Sequence, residues 1–222
     1  MKIPREDTAR TCGRLLAAAG ELFARKGYRN AKIAEICEKA GVNVAAVNYH
    51  FGSKQVLYRE AWLSAFKESL RKHPPDGGVP PGASPEERLH GQIQALLHRI
   101  ADENNWEFWI MQRELTNPTG LLEEVMSEEV RPLQKRKEAL VRELLGGDVA
   151  ERDVHFCEVS IISQCINPLV FHQGYPEEKE GFPPKIEDMD AFARHVLTFS
   201  LAGIRAIREA GGKIGADNDG ME

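Results

Sequence analysis

Asn48, Tyr49, His50 and Lys54 place four hydrogen-bonding side chains within the run GVNVAAVNYHFGSK, Gly41 to Lys54. The chemistry these residue types offer is recognition. An Asn carboxamide sets a donor beside an acceptor, matching the N6 and N7 edge of adenine in the major groove. Tyr, His and Lys donate to phosphate oxygens, which fixes a docking register without reading sequence. Ala45 and Ala46 keep a helix thin where it approaches base edges, and an Ala methyl can touch the methyl of thymine. The signatures of catalysis are missing. The seven histidines include no HExxH pair, and there is no Gly-rich phosphate loop or nucleophile elbow. We therefore expect no enzyme, no cofactor and no metal site; His90 and His98, eight residues apart, lack an acidic partner at ligand spacing.

These side chains need elements to hold them. Lys32 to Ala40 reads as a short helix with Ile33, Ile36, Cys37 and Ala40 on its apolar side, and Gly41 ends it. Asn43 is a competent N-cap for a second short helix. There Val44, Val47 and Phe51 share a packing face, while Ala45, Ala46, Asn48 and Tyr49 point outward with His50 at the edge. A Gly-broken pair of short helices is the helix-turn-helix pattern. Upstream, Cys12, Leu15, Leu16, Ala19, Leu22 and Phe23 recur at helical spacing before Gly27. Downstream, Ser53 caps a long helix carrying Leu57, Trp62 and Phe66.

Charge supports a nucleic-acid partner for this part alone. Residues 1–73 hold 14 Lys and Arg against seven Asp and Glu, whereas the remainder holds 15 against 27. The chain total of −5 conceals that asymmetry. RKHPPDGGVPPGASP, residues 71–85, contains five prolines and three glycines and marks a loop between domains. Beyond it the periodicity stays helical. Trp106 to Leu115 is apolar nearly all round and reads as a buried helix. Leu121 to Leu145 is expected to kink at Pro132, Val149 to Phe171 to break near Pro168, and a last helix to run from Met189 to about Arg208. No alternating, strand-like segment is present, so the fold is expected to be all-α. The boundaries are 1–52 for the helix-turn-helix domain, 53–73 for a connecting helix, 74–84 for a linker, 85–211 for a second helical domain and 212–222 for a polar tail. Four scattered cysteines without a CxxC pair suit free thiols in a reducing cytoplasm. The absence of an N-terminal apolar run or an ~18-residue apolar stretch gives an expectation of no signal peptide and no membrane partner.

The stretch AKIAEICEKAGVNVAAVNYHFGSKQVLYREAW resembles the DNA-binding domain of the TetR/AcrR family of bacterial transcriptional regulators. The resemblance extends over about residues 8–66. It includes the Gly27-Tyr28 pair ending the first helix, the Gly-Val turn, and the aromatic-His-Phe run before Ser53-Lys54. It implies that Val44, Ala45, Ala46 and Asn48 face bases, and that Tyr49, His50 and Lys54 hold the backbone. Ala31 and Lys32 stand where the family usually has Thr or Ser, so Lys32 becomes a substitute phosphate contact, or Asn30 a substitute cap. MQRELTNPTGLLEEVMSEEVRPLQKRKEAL more weakly resembles the subgroup that includes an Escherichia coli regulator linked to antibiotic sensitivity; Arg113-Glu114 and Pro118-Thr119 carry that likeness.

The resemblance implies a ligand-sensing and dimerising second domain, and a homodimeric repressor released from a pseudo-palindromic operator by a small molecule. Trp62, Phe66, Trp106, Trp109, Ile110, Arg113, Asn117 and Cys165 are the candidate ligand-binding residues: an aromatic wall with a few polar groups. The competing reading makes the tryptophans core and pairs Arg113 with a carboxylate such as Glu114 or Glu158. Phe192, Val196, Phe199, Gly203 and Ile207 form an apolar stripe suited to a two-fold dimer interface. The alternative function is a helical small-molecule or protein-binding module that does not use DNA.

Overall fold

The computed structural model describes residues 5–146, 149–174 and 186–218. Nine helices and no strand are found among them. They are α1 (Arg5–Asn30), α2 (Ile33–Ala40), α3 (Ala45–Phe51), α4 (Lys54–Lys72), α5 (Pro85–Ala101), α6 (Trp106–Thr116), α7 (Glu123–Leu145), α8 (Glu151–Gly174) and α9 (Met189–Asn218).

The chain divides into two compact units. One comprises residues 1–72 with 102–129; the other comprises 73–101 with 130–222. In the first, Leu15, Ala19 and Phe23 of α1 are fully buried, together with Ile36 of α2, Leu57, Tyr58 and Trp62 of α4, and Ile110 of α6. Helix α6 therefore belongs to the unit of the helix-turn-helix. There Trp106 lies against Gly20 of α1. Helix α6 is not apolar all round in its setting: Leu115 is 68% exposed, whereas Glu107 is buried and accepts from Ser69 Oγ at 3.4 Å.

In the second unit, Leu89, Ile93 and Leu97 of α5 share a core with Leu140, Val141 and Leu144 of α7, Val154 and Ile161 of α8, and Val196 and Ile204 of α9. The Pro/Gly-rich segment before α5 is built of tight turns: Gly77 N–H donates to Pro74 O at 2.9 Å, and Ala83 N–H to Pro80 O at 3.0 Å. Ser84 and Glu87 then form a reciprocal cap for α5. Two expected breaks are absent. Helix α8 runs through Pro168, and α9 continues past Gly211-Gly212 to Asn218. A mid-helix Pro costs one hydrogen bond and a local bend, which a packed helix tolerates.

Candidate nucleic-acid interface and effector sites

The turn before α3 is fixed from three directions. Gly41 adopts φ 63° and ψ 42°, the left-handed conformation that only Gly takes without strain, and its N–H closes the end of α2. Val42 N–H donates to Cys37 O at 2.9 Å. From α1, the Arg14 guanidinium donates to Gly41 O at 3.0 Å, a tether that no motif announces. Asn43 caps α3 as expected, its Oδ1 accepting from Ala45 N–H at 2.9 Å. At the other end Gly52, φ 72°, donates to Asn48 O and Val47 O at 3.1 Å each. Helix α3 is thus a two-turn rod capped at both ends.

Its faces separate cleanly. Val47 is buried, while Ala45, Asn48 and Tyr49 are exposed, Tyr49 by 74%. Val44 is 47% exposed, so it leaves the packing face shared by Val47 and Phe51 and joins the open one. Ala46 and His50 are half-buried, and the His50 ring meets Tyr49 edge-on at 4.8 Å. Lys54 opens α4 with its ammonium 4.7 Å from the Tyr28 ring centroid, a cation–π contact that aims the charge. Partial burial lowers its pKa from the ordinary lysine value.

Lys32 is exposed at the start of α2, but the cap comes from neither Lys32 nor Asn30. The Glu35 carboxylate accepts from Lys32 N–H at 3.4 Å and from Lys26 Nζ at 3.0 Å. Asn30 instead donates to Lys26 O within α1. An acid three residues after the cap position is the visible signal. Ala31 is fully buried, so the methyl fills a packed site where the resemblance sets a hydroxyl.

The Arg-Glu and Pro-Thr pairs have structural roles. Gly27, at φ 75° and ψ 165°, kinks α1 and withdraws the helical partners of the carbonyls before it. Arg113 donates to Ala24 O and Arg25 O in their place. Glu114 Oε1 accepts from Thr119 N–H at 2.7 Å, Thr119 Oγ1 at 2.8 Å and Gly120 N–H at 2.9 Å. Its Oε2 accepts from the Tyr58 hydroxyl at 3.0 Å. Burial, reinforced by the Glu114 charge, pushes the Tyr58 phenol well above its usual range, so Tyr58 stays a donor.

The expected ligand-binding residues are dispersed. Trp62 stacks on Phe66 at 5.0 Å, and with Ile110 they are core. Buried Trp62 Nε1 has no acceptor among the described residues. Trp109 meets Phe108 edge-on. Trp106 borders a cavity of about 220 Å³ between α1, α4 and the start of α6. Arg113 and Asn117 border another of about 90 Å³. Cys165 belongs to the second unit. There it lines a small void with Gln92 and Lys137, two polar residues absent from the sequence-based set.

The expected dimer stripe also divides. Val196 is fully buried in its own unit's core, and half-buried Phe192 packs against that core. Phe199 is 64% exposed and Ile207 36%, with Gly203 open between them. On α8, Phe156 and Val159 are exposed too, at 56% and 47%.

Two family models match parts of the chain. Residues 15–61 match the model of the bacterial regulatory proteins of the tetR family, and residues 85–204 match the C-terminal domain of the HTH-type transcriptional dual regulator CecR. The CecR dual regulator of Shigella flexneri is 31% identical over 154 residues, 60% of this chain and 64% of that protein. The transcriptional activator FasR of Mycolicibacterium smegmatis is 40% identical over 57 residues, 26% of this chain and 25% of that protein. The chain thus spans under two thirds of either relative. A TetR-like regulator from Rhodococcus sp. RHA1 shares the fold at TM-score 0.67 and 17% identity, over 92% of this chain and 99% of that one.

Proposed function

This chain belongs to the TetR family of bacterial regulators, in the group with a CecR-type C-terminal domain, and from that premise we propose that it is a homodimeric repressor released from its operator by a small molecule. That it is a transcriptional regulator of TetR type follows from the family; the repression, the release and the dimer are the proposal. The carrying observation is the open face of the doubly capped α3, with Asn48 and Tyr49 exposed and Lys54 aimed from the next helix. Two copies on a two-fold axis would set two such helices into successive major grooves of a pseudo-palindromic site. Exposed Phe156 and Val159 on α8 and Phe199 and Ile207 on α9 are the apolar side chains offered to the axis.

Release would follow from differential affinity: an effector that favours one conformation of the second unit lowers the population able to hold DNA. Helix α7 contributes its first turns to one unit and the remainder to the other, which makes it the candidate route. The relatives are named a dual regulator and an activator, so activation at some promoters is the second reading. Selecting genomic fragments bound by the full chain, then repeating the selection with metabolite pools, tests the proposal. Palindromic fragments overlapping promoter elements and lost on ligand addition are expected. Fragments lying upstream of the promoter would favour activation, and no enriched sequence at all would overturn the DNA-binding reading.

A further inference from the structure

Helices α1 and α4 face each other with small residues and still leave space between them. Gly13, Leu16, Ala17 and Gly20 recur at helical spacing on α1, as do Ala65, Glu68, Ser69 and Lys72 on α4. Small side chains at a helix contact ordinarily let the two backbones approach. Here a cavity of about 220 Å³ remains, bounded at the start of α6 by Asn104, Asn105 and Trp106. Every residue of its lining belongs to the first unit.

The lining joins apolar walls to a polar rim. Leu16, Ala65 and the Trp106 indole, all half-buried, supply surface for a flat ring. Two polar groups have bonding capacity to spare: the Ser64 hydroxyl and the Asn104 carboxamide make no hydrogen bond among the described residues. Charge on the rim is uneven. Lys72 Nζ lies 3.6 Å from Asp102 Oδ2, which leaves Glu68 as the excess charge of the lining. Arg71 donates to Glu68 at 2.9 and 2.7 Å but does not itself border the cavity. That hydrogen bond holds the Glu68 carboxyl below its usual range, so the group is ionised near neutral pH. The pair is exposed and therefore weak, and a carboxylate keeps lone pairs for a further donor.

We propose that this cavity binds a flat aromatic amine, its ring between Leu16 and Ala65 beside Trp106 and its ammonium on Glu68, with Ser64 and Asn104 as further hydrogen-bonding partners. Drug-sized ligands occupy about 300–1,000 Å³, so the space suits a bicyclic ring with one short arm. The site belongs to the unit that carries α3 and does not depend on an effector in the second unit. Gly13 of its lining adjoins Arg14, whose guanidinium holds Gly41 O, so a bound amine sits one residue from the tether of the recognition turn.

Three indoles that differ at the end of one arm test the site by titration calorimetry on the full chain. Tryptamine ends in an ammonium, tryptophol in a hydroxyl and indole-3-acetate in a carboxylate. Tryptamine should bind about fivefold tighter than tryptophol, the strength of one partly exposed charge pair, and indole-3-acetate should bind weakest. Glu68→Gln should abolish the preference for the amine and leave the affinity of tryptophol unchanged. Ala17→Leu should weaken all three about tenfold or more by filling the cavity; Ala17 is exposed and Leu favours a helix, so the fold is retained. Gly13→Leu, where an added Cβ meets nothing within 4 Å, repeats the test one turn earlier if the first variant fails to fold. Tryptamine affinity unchanged in whichever of these two variants folds overturns the site. So does a preference that survives Glu68→Gln, or a native protein that binds tryptamine no better than tryptophol.

Discussion

Asn48 has its backbone carbonyl engaged by Gly52, and its carboxamide makes no hydrogen bond among the described residues. A polar group already presented on a rigid helix loses little entropy on docking, so its pairing with a base should be specific. Asn48→Ala should relax preference at one base pair, by about 1–3 kcal/mol of discrimination, in a binding selection over randomised operators. Lys54, held on the Tyr28 ring, should contribute alike to every sequence. Lys54→Ala should weaken all operators and lower the slope of log affinity against log salt by about one; an unaltered slope would remove the phosphate contact. Arg113 is a different case, because its guanidinium holds α1 at the Gly27 kink. Arg113→Ala should cost on the order of 1–3 kcal/mol of stability without any effector present. Lys in its place should restore little, since one ammonium cannot reproduce the guanidinium fork. Wild-type thermal stability in Arg113→Ala would show that the brace is not needed.

At the scale of elements, the short helices α2 and α3 cannot be stable by propensity, since helices below about 12 residues are marginal alone. Caps and tethers hold them: Glu35 at the head of α2, Gly41 and Arg14 at the turn, Asn43 and Gly52 at the two ends of α3. The hydrogen bond from Lys26, with that from Lys32 N–H, holds the Glu35 carboxyl below its usual range. A depressed carboxylate pKa stabilises the fold above the ordinary carboxylate range, and that contribution is lost as pH falls through the folded value. Glu35→Gln should therefore lower the melting temperature near neutral pH, and the difference from wild type should shrink as the solution is acidified through that range. A difference that stays constant down to acid pH would assign the effect to packing. Most of these elements were readable from caps and apolar spacing. At Pro168 the helix continues because packing on α8 overrides local propensity; α9 continues through Gly211-Gly212 to Asn218.

At the scale of the whole molecule, α9 carries both core and uncovered apolar residues. Val196 closes the core of its own unit, while Phe199 and Ile207 remain uncovered. Phe199→Glu should leave the helical circular dichroism intact, shift sedimentation to the monomer and abolish operator retention. Val196→Ala should instead cost on the order of 1–3 kcal/mol of unfolding free energy with the oligomer unchanged. A Phe199→Glu protein that still sediments as a dimer would move the two-fold axis off this face. The two compact units also cut across chain order: α5 lies between α4 and α6 in sequence, yet α4 and α6 share a unit without it. No periodicity encodes that exchange.

What the sequence determined alone was local and repetitive in its physics: helical class, the Gly41 turn, the Asn43 and Ser53 caps, and the outward set on α3. These follow from spacing, from glycine's access to positive φ, and from side chains that cap the nearest backbone. What the tertiary structure decided were encounters between residues distant along the chain. Arg113 meets the carbonyls of α1, Glu114 meets Tyr58, and Trp106 lies against Gly20. A side chain's type states what it can bond, but only packing states which partner is within reach.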